Sequence, residues 1–358
     1  SHAPSLLELP GDFRGKAGHT MATMTVADAP PAARQADSDP TATDATATRL
    51  ATIYGAVGLS GNPFTPDPGS GAFVAIPSHA DAIAILSPWL ERGAGSGLAL
   101  VTGCPGSGRT RLMRHLGEML APRSDLAVAT VYTGDERRTD AQLLRAILAS
   151  LGGEPTGRTG LELTTGIRIR IDQNRERGHD TVILIDDATF TGSQLEIVRT
   201  LLSSASGIRL VLFGPPELRE RIARRRSLAG SLRHTVALDA MEENTIRSFL
   251  DQRIAAMRLR PPIPDDAHLF TDEAVAIVAS WSGGNPAAVV RIAGECVLEA
   301  IACSRTTVDR RVAHQVAREL TDQARLLARR AASAPFVEPA VQTRLLLDLD
   351  TEQRETGR

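Results

Sequence analysis

A loop rich in glycine, in residues 101–110, has the composition and spacing needed to bind phosphate. It fits the pattern G-x-x-x-x-G-K-[ST], except that Arg109 stands at the lysine position. Glycines allow backbone N–H groups to turn toward phosphate oxygens, and a following helix adds the positive end of its dipole. We therefore predict binding of ATP or ADP. The predicted nucleotide-binding residues of the loop are Gly103, Gly106, Ser107, Gly108, Arg109, Thr110 and Arg111.

Two carboxylates at the end of an apolar run would complete this chemistry. The run 181–185 is β-branched and apolar, and it ends in Asp186 and Asp187. Asp186 and the hydroxyl of Thr110 are predicted to hold Mg²⁺. Asp187 is the predicted catalytic group, at a position where a longer glutamate usually polarises the attacking water. Since positioning of a general base contributes about 10²–10⁴-fold in rate, the shorter side chain would slow hydrolysis. The alternative role for Asp187 is that of a helix cap or loop carboxylate.

Arginine at position 109 changes how the loop meets phosphate. A guanidinium is always charged and pairs bidentately with phosphate oxygens, but it is larger than the ammonium for which such loops are shaped. Lys16 is the only lysine among the 40 basic residues of the chain. A general skew toward arginine is therefore one explanation of Arg109, and a selected loss of function is the alternative.

Apolar periodicity places the loop in an alternation of strands and helices. The predicted strands are 98–102, 126–132, 181–185 and 208–213, and the predicted helices of this part are 110–120, 140–151 and 194–203. Four further helices are predicted at 245–257, 271–281, 286–302 and 308–320. The order of elements predicts a three-layer αβα domain with a parallel sheet, followed by a small all-helical domain.

The same pattern predicts how the chain is divided into domains. Residues 1–50, rich in Ala, Thr, Pro and Asp, are expected to form a disordered leader. The α/β domain is assigned to 51–240, the helical domain to 241–322 and a charged tail to 323–358.

Composition limits the compartment and the partners. The net charge is −2 and only 3% of residues are aromatic, which argues against a base-stacking surface. Three cysteines without metal-ligand spacing favour a reducing compartment. No apolar run is long enough for a membrane span or a secretory signal. We expect a cytoplasmic protein.

Several motifs in order resemble those of ExeA-type AAA+ ATPases, which serve general secretion and have TniB-type transposition ATPases as near relatives. The matching stretches are Asn62–Phe64, Pro66–Pro68, Phe73, Ser78–His79 with Ala82, Leu184–Ala188, Leu210–Leu218 and Trp281–Pro286. The resemblance implies a P-loop domain with a helical AAA+ lid, and it implies that His79 lies near the nucleotide base. The alternative for His79 is a surface or capping role.

The sequence departs from the family pattern at positions that would surround the terminal phosphate. Ala287 stands where the lid arginine, the second sensor, is expected, and Pro215 where the fourth strand is followed by a polar sensor. Ser231 aligns with a candidate arginine finger, unless Arg233 replaces it. A transition-state arginine is typically worth about 10³–10⁵ in turnover. Together with Arg109 and Asp187, these departures predict a slow ATPase or pseudo-ATPase.

The predicted role is that of a conformational partner in a larger assembly, as a homo-oligomer that also contacts another protein. Relatives of this type often carry a membrane span and an envelope-binding domain after the lid, and we expect neither in this chain. An envelope role would then go through a membrane-associated partner. One alternative is a DNA-associated ATPase of the TniB type, and another is a scaffold that no longer binds nucleotide.

A basic run could contact DNA, but without interleaved aromatics a solvated helix face is favoured. The run comprises Arg219, Arg221, Arg224, Arg225 and Arg226.

Overall fold

The computed structural model describes residues 53–65, 73–92, 95–132, 138–186, 188–204, 207–259 and 268–333, with side chains as far as residue 322. The predicted leader 1–50, the motif Pro66–Pro68, the catalytic candidate Asp187 and residues 334–358 lie outside this described part.

A sheet of five parallel strands forms the centre of the α/β domain. The strands are β1 (Gly97–Gly103), β2 (Leu126–Val131), β3 (Asp180–Ile185), β4 (Ile208–Gly214) and β5 (Leu232–Leu238). Their order in the sheet is β2-β3-β4-β1-β5, and every neighbouring pair is parallel. Because β1 lies between β4 and β5, the phosphate-binding loop that follows it leaves the carboxyl edge of the sheet beside both strands.

Helices cover both faces of this sheet, as parallel strands joined by crossover connections require. They are α1 (Pro77–Arg92), α2 (Arg109–Leu120), α3 (Asp140–Ser150), α4 (Gly160–Glu176), α5 (Gly192–Ser204), α6 (Glu217–Ala223) and α7 (Arg226–Ala229). Thr139 and Thr159 cap α3 and α4 through reciprocal hydrogen bonds with Gln142 and Glu162.

Alternating side chains of β1 divide the core into two layers, because successive residues of a strand point to opposite faces. Leu98 and Leu100 pack with the apolar residues of α3 to α6. Ala99 and Val101 pack with those of α1 and α2. The result is the predicted three-layer αβα arrangement.

A separate helical part follows and carries its own core. Its helices are α8 (Glu243–Ala255), α9 (Asp272–Ser282), α10 (Pro286–Ala302) and α11 (Arg310–Ser333), and we call them the lid. Tyr54, Leu59 and Phe64 belong to the same buried cluster as the lid helices, although sequence grouped residues 51–65 with the α/β domain. Ser60 N–H also donates to the Met257 carbonyl at 2.8 Å. The start of the described chain therefore packs against the lid.

The predicted class of fold, a parallel α/β domain followed by helices, is confirmed. Five elements are absent from the predicted strands and helices, namely α1, α4, α6, α7 and β5. Within the described residues, no helix is long and apolar enough to cross a membrane.

Candidate nucleotide-binding site

The phosphate-binding loop joins β1 to α2 and depends on two glycines in left-handed conformation. Gly106 has φ +83° and Gly108 has φ +90°. A Cβ built on Gly106 would lie 2.5 Å from Asn285 Oδ1, and one on Gly108 would lie 2.6 Å from His79 Cε1. No larger residue fits either position without displacing these neighbours. The N-cap of α2 is Gly108, so no side chain caps the amides of the first turn, which a bound anion can then occupy.

His79, on α1, supports the loop from behind. Its Nε2–H donates to the Ser107 carbonyl at 3.0 Å, and the residue is only 4% exposed. Burial lowers the pKa of His79, and the nearby positive charge of Arg111 acts in the same direction, while the bond to Ser107 opposes them. The neutral ring is thus the form that fits here. The structure places His79 against the loop, at the wall of the cavity described next.

A cavity of about 630 Å³ opens between the loop and the lid. This volume lies within the range typical of ligand sites, about 300–1,000 Å³. Of the predicted binding residues, those in its wall are Gly106, Gly108, Arg109, Thr110, Arg111 and His79. Apolar residues from four separate segments also line it, namely Phe64, Val74, Ile76, Phe249, Val290 and Leu298. A cavity lined by both cationic and apolar residues suits a nucleotide.

The lid forms hydrogen bonds with the phosphate-binding loop. Asn285 Nδ2 donates to the Pro105 carbonyl at 2.8 Å, and Ala287 N–H donates to the Gly106 carbonyl at 3.1 Å. Asn285 Oδ1 meanwhile accepts from the amides of Ala287 and Ala288, so the same side chain caps α10. Asn285 therefore both caps the N-terminus of α10 and holds this helix to the phosphate-binding loop.

Ala287, which stands where the family pattern has an arginine, lines the cavity with only a methyl group. A Cβ built on Gly106 would lie 3.0 Å from that methyl group. No cationic group thus reaches the loop from this position.

Arg253 of α8 is a cavity residue that sequence reasoning missed. It is 8% exposed, and its guanidinium donates to the carbonyls of Pro63 at 2.8 Å and Thr65 at 3.0 Å. Burial lowers its pKa to about 10, so it remains charged near neutral pH. A lone arginine among apolar residues at helical spacing was the available signal, but its partners lie about 190 residues away in sequence.

The carboxylate predicted to hold Mg²⁺ lies at the same edge of the sheet as the loop. Ile185 of β3 pairs with Leu212 of β4, which pairs with Leu100 of β1. Asp186 follows directly and is 6% exposed, whereas Thr110 is exposed and lines the cavity. The described residues contain no cluster of three or more His, Cys, Asp or Glu. Thr110 and Asp186 remain the residues that could hold a magnesium ion at this edge.

The basic run of α6 and α7 is largely engaged in local contacts. Arg221 donates to the Phe190 carbonyl, and Arg225 donates to the Gly192 carbonyl at 3.4 Å. Arg224 pairs with Glu220 at 3.4 Å. These contacts favour a role in fixing the segment that follows β3 over a role in binding DNA.

Comparison with known proteins agrees with this class of site. Residues 92–222 match the family model described as AAA domain. The chain is 26% identical over 253 residues to general secretion pathway protein A of Aeromonas hydrophila, in an alignment covering 68% of this chain and 44% of that protein. The chain thus spans less than half the length of this curated relative.

Solved structures share the fold. The Orc1 protein of Aeropyrum pernix, solved in complex with DNA, superposes with a TM-score of 0.56 at 17% identity, covering 72% of this chain and 68% of that one. Cdc6p of Pyrobaculum aerophilum gives a TM-score of 0.53 at 18% identity, covering 69% and 67%. Residues 92–222 therefore match an AAA domain, and the fold that contains them is that of P-loop AAA+ proteins. The resemblance to ExeA-like AAA+ ATPases is confirmed.

Proposed function

We propose that this protein binds Mg-ATP between the phosphate-binding loop and the lid, hydrolyses it slowly, and transmits the bound state to a partner through the lid. The observation that carries the proposal is the direct bond from Asn285, the cap of lid helix α10, to the Pro105 carbonyl of the loop. Any shift of the loop around phosphate changes this contact. The lid is therefore placed to respond to the nucleotide, which then biases the conformation that a partner recognises.

Binding is supported by features that the backbone supplies. The left-handed glycines, the uncapped first turn of α2 and the cationic cavity are all present. Arg109 lies in the cavity wall and brings a permanent charge to the phosphates. These groups bind ground-state nucleotide and require no catalytic side chain.

Slow hydrolysis is supported by the side chains that the site lacks. Ala287 and Pro215 have no group that could donate to a terminal phosphate, and Ser231 aligns with the candidate arginine finger. Interactions that strengthen only in the transition state raise turnover, whereas uniform binding does not. We therefore place the protein among AAA+ proteins that sense nucleotide rather than turn it over rapidly. Asp187 is the residue proposed to orient water in the remaining slow reaction.

A role in an assembly rests on the relative's name alone, which places that protein in a general secretion pathway. We propose that this chain forms a homo-oligomer and works with a further protein of the cell envelope or its secretion apparatus. In this account the chain itself is cytoplasmic and reaches the membrane through that partner.

Calorimetry and thermal unfolding of the full chain with Mg-ATP test the proposal. Mg-ATP at a hundred times its dissociation constant should add about 2.7 kcal/mol to the free energy of unfolding. If Mg-ATP gave no heat of binding and no shift in melting temperature, the protein would be a scaffold that does not bind nucleotide.

A further inference from the structure

One arginine of the lid lies in the wall of the cavity without a role in the site described above. Arg291 follows Ala287 by four residues on α10, and both line the cavity. Residues four apart share one face of a helix and are separated by about 6 Å along its axis. Arg291 therefore lies one turn beyond the position where the family pattern has its lid arginine.

The face of α10 toward the cavity is defined by helical spacing rather than by a single contact. Its cavity-lining residues are Pro286, Ala287, Val290, Arg291, Gly294, Glu295 and Leu298. Small and apolar side chains dominate this set, and Arg291 is its only cation. A cation on a helix face that lines a cavity is well placed to bind an anionic ligand.

Three other arginines of the cavity each have an interaction within the protein. Arg253 donates to two backbone carbonyls, and Arg109 and Arg111 each have an interaction within the protein. Arg291 is exposed, and in the described part of the chain no hydrogen bond or ion pair is found for it. Glu295 is one turn away on the same helix, yet the two side chains form no ion pair.

We propose that Arg291 binds the phosphate chain of the nucleotide and so replaces the arginine missing at Ala287. The inference rests on the proposed function, because it requires nucleotide in this cavity. A guanidinium on a flexible stem pairs bidentately with phosphate oxygens, and it does so without a preformed partner in the protein. In this site the lid keeps a cationic contact with the nucleotide, displaced by one helical turn.

Binding measurements on Arg291→Ala, Arg291→Lys and wild type test the proposal. Dissociation constants for Mg-ATP, and for adenosine by displacement, are compared by calorimetry at fixed salt. Arg318→Ala is the matched control, since Arg318 is exposed on α11 and does not line the cavity. Both alanine substitutions remove an exposed arginine from a helix, and both proteins should fold as wild type does.

We expect Arg291→Ala to bind Mg-ATP about tenfold more weakly, equivalent to about 1.4 kcal/mol, with unchanged affinity for adenosine. Arg291→Lys should lie between Arg291→Ala and wild type, and Arg318→Ala should match wild type. Unchanged affinity of Arg291→Ala for Mg-ATP, or an equal loss for adenosine, would overturn the proposal and leave the proposed function standing. Absence of Mg-ATP binding in wild type would overturn both.

Discussion

The cavity has two walls of different character. The loop wall, Gly106–Arg111, fixes its geometry by backbone conformation, with two left-handed glycines and the uncapped first turn of α2. The lid wall, the cavity face of α10, shows a methyl group at Ala287 and contacts the loop through Asn285. In the proposed function, binding of phosphate depends mainly on the first wall, whereas stabilising a transition state would need a donor that the second wall does not present at Ala287. The proposed function therefore separates the two walls, with nucleotide binding assigned to the first and the rate of turnover to the second.

The largest expected effect comes from the loop wall. Gly108→Ala places a methyl group 2.6 Å from the His79 ring at φ +90°. Backbone strain of about 2 kcal/mol should displace the loop and weaken Mg-ATP binding at least about thirtyfold. Calorimetric titration measures this change.

Gly178→Ala is the matched control for that substitution. Gly178 has φ +81°, yet a Cβ there would meet no atom within 4 Å. This variant should lose stability without losing affinity for nucleotide. Equal affinities of wild type and Gly108→Ala would show that the loop wall does not bind phosphate.

A smaller effect is expected from the contact between the two walls. Asn285→Ser keeps an oxygen that can cap α10 but is too short to donate to the Pro105 carbonyl. The net value of one hydrogen bond is about 1 kcal/mol, so the free energy of unfolding should fall by about that amount. Because we propose that this contact couples the lid to bound nucleotide, Mg-ATP affinity should also fall, by up to about fivefold.

Asn285→Ala removes the cap as well and should lower the free energy of unfolding by about a further 1 kcal/mol. Chemical denaturation separates the two variants. If Asn285→Ser binds Mg-ATP as tightly as wild type does, the lid is not coupled to the loop through this residue.

The smallest effect is a pH dependence that arises behind the loop wall. Burial lowers the pKa of His79 below its usual value of 6.5, so the unfolded chain takes up this proton at higher pH than the folded chain does. The contribution of His79 to stability is therefore complete above about pH 6.5 and is lost as the pH falls toward the folded-state pKa.

His79→Gln keeps an amide donor for the Ser107 carbonyl but does not titrate. Between pH 7.5 and pH 5.5, wild type should lose more stability than this variant in denaturant titrations. Identical losses in the two proteins would mean that protonation of His79 is not coupled to folding.

The spacing of apolar residues and glycines along the sequence was enough to predict the loop, four of the strands and the lid helices. Helix α4 was missed because the alternation from Ile167 to Ile171 has the period of a strand. Strand β5 was missed because it is an edge strand, and its first residues are polar or half-exposed.

The cavity residues Arg253 and Arg291 could not be recognised from sequence. Their significance depends on the packing of α8 and α10 against the loop and against residues 53–65, which are far away in the chain. The same holds for Asn285, whose bond to Pro105 spans 180 residues. The sequence shows that Asn285 can cap a helix, but it does not show that the same side chain also donates to the Pro105 carbonyl.

The rate of Mg-ATP hydrolysis by wild type beside Arg109→Lys/Asp187→Glu tests the central claim most directly. If nucleotide is bound without rapid turnover, wild type should turn over well below about 1 s⁻¹, the slow end of typical enzymes. The double variant restores the lysine and the longer carboxylate, and it should be at least about tenfold faster. A wild-type rate at or above about 1 s⁻¹ would contradict the account, as would a double variant no faster than wild type.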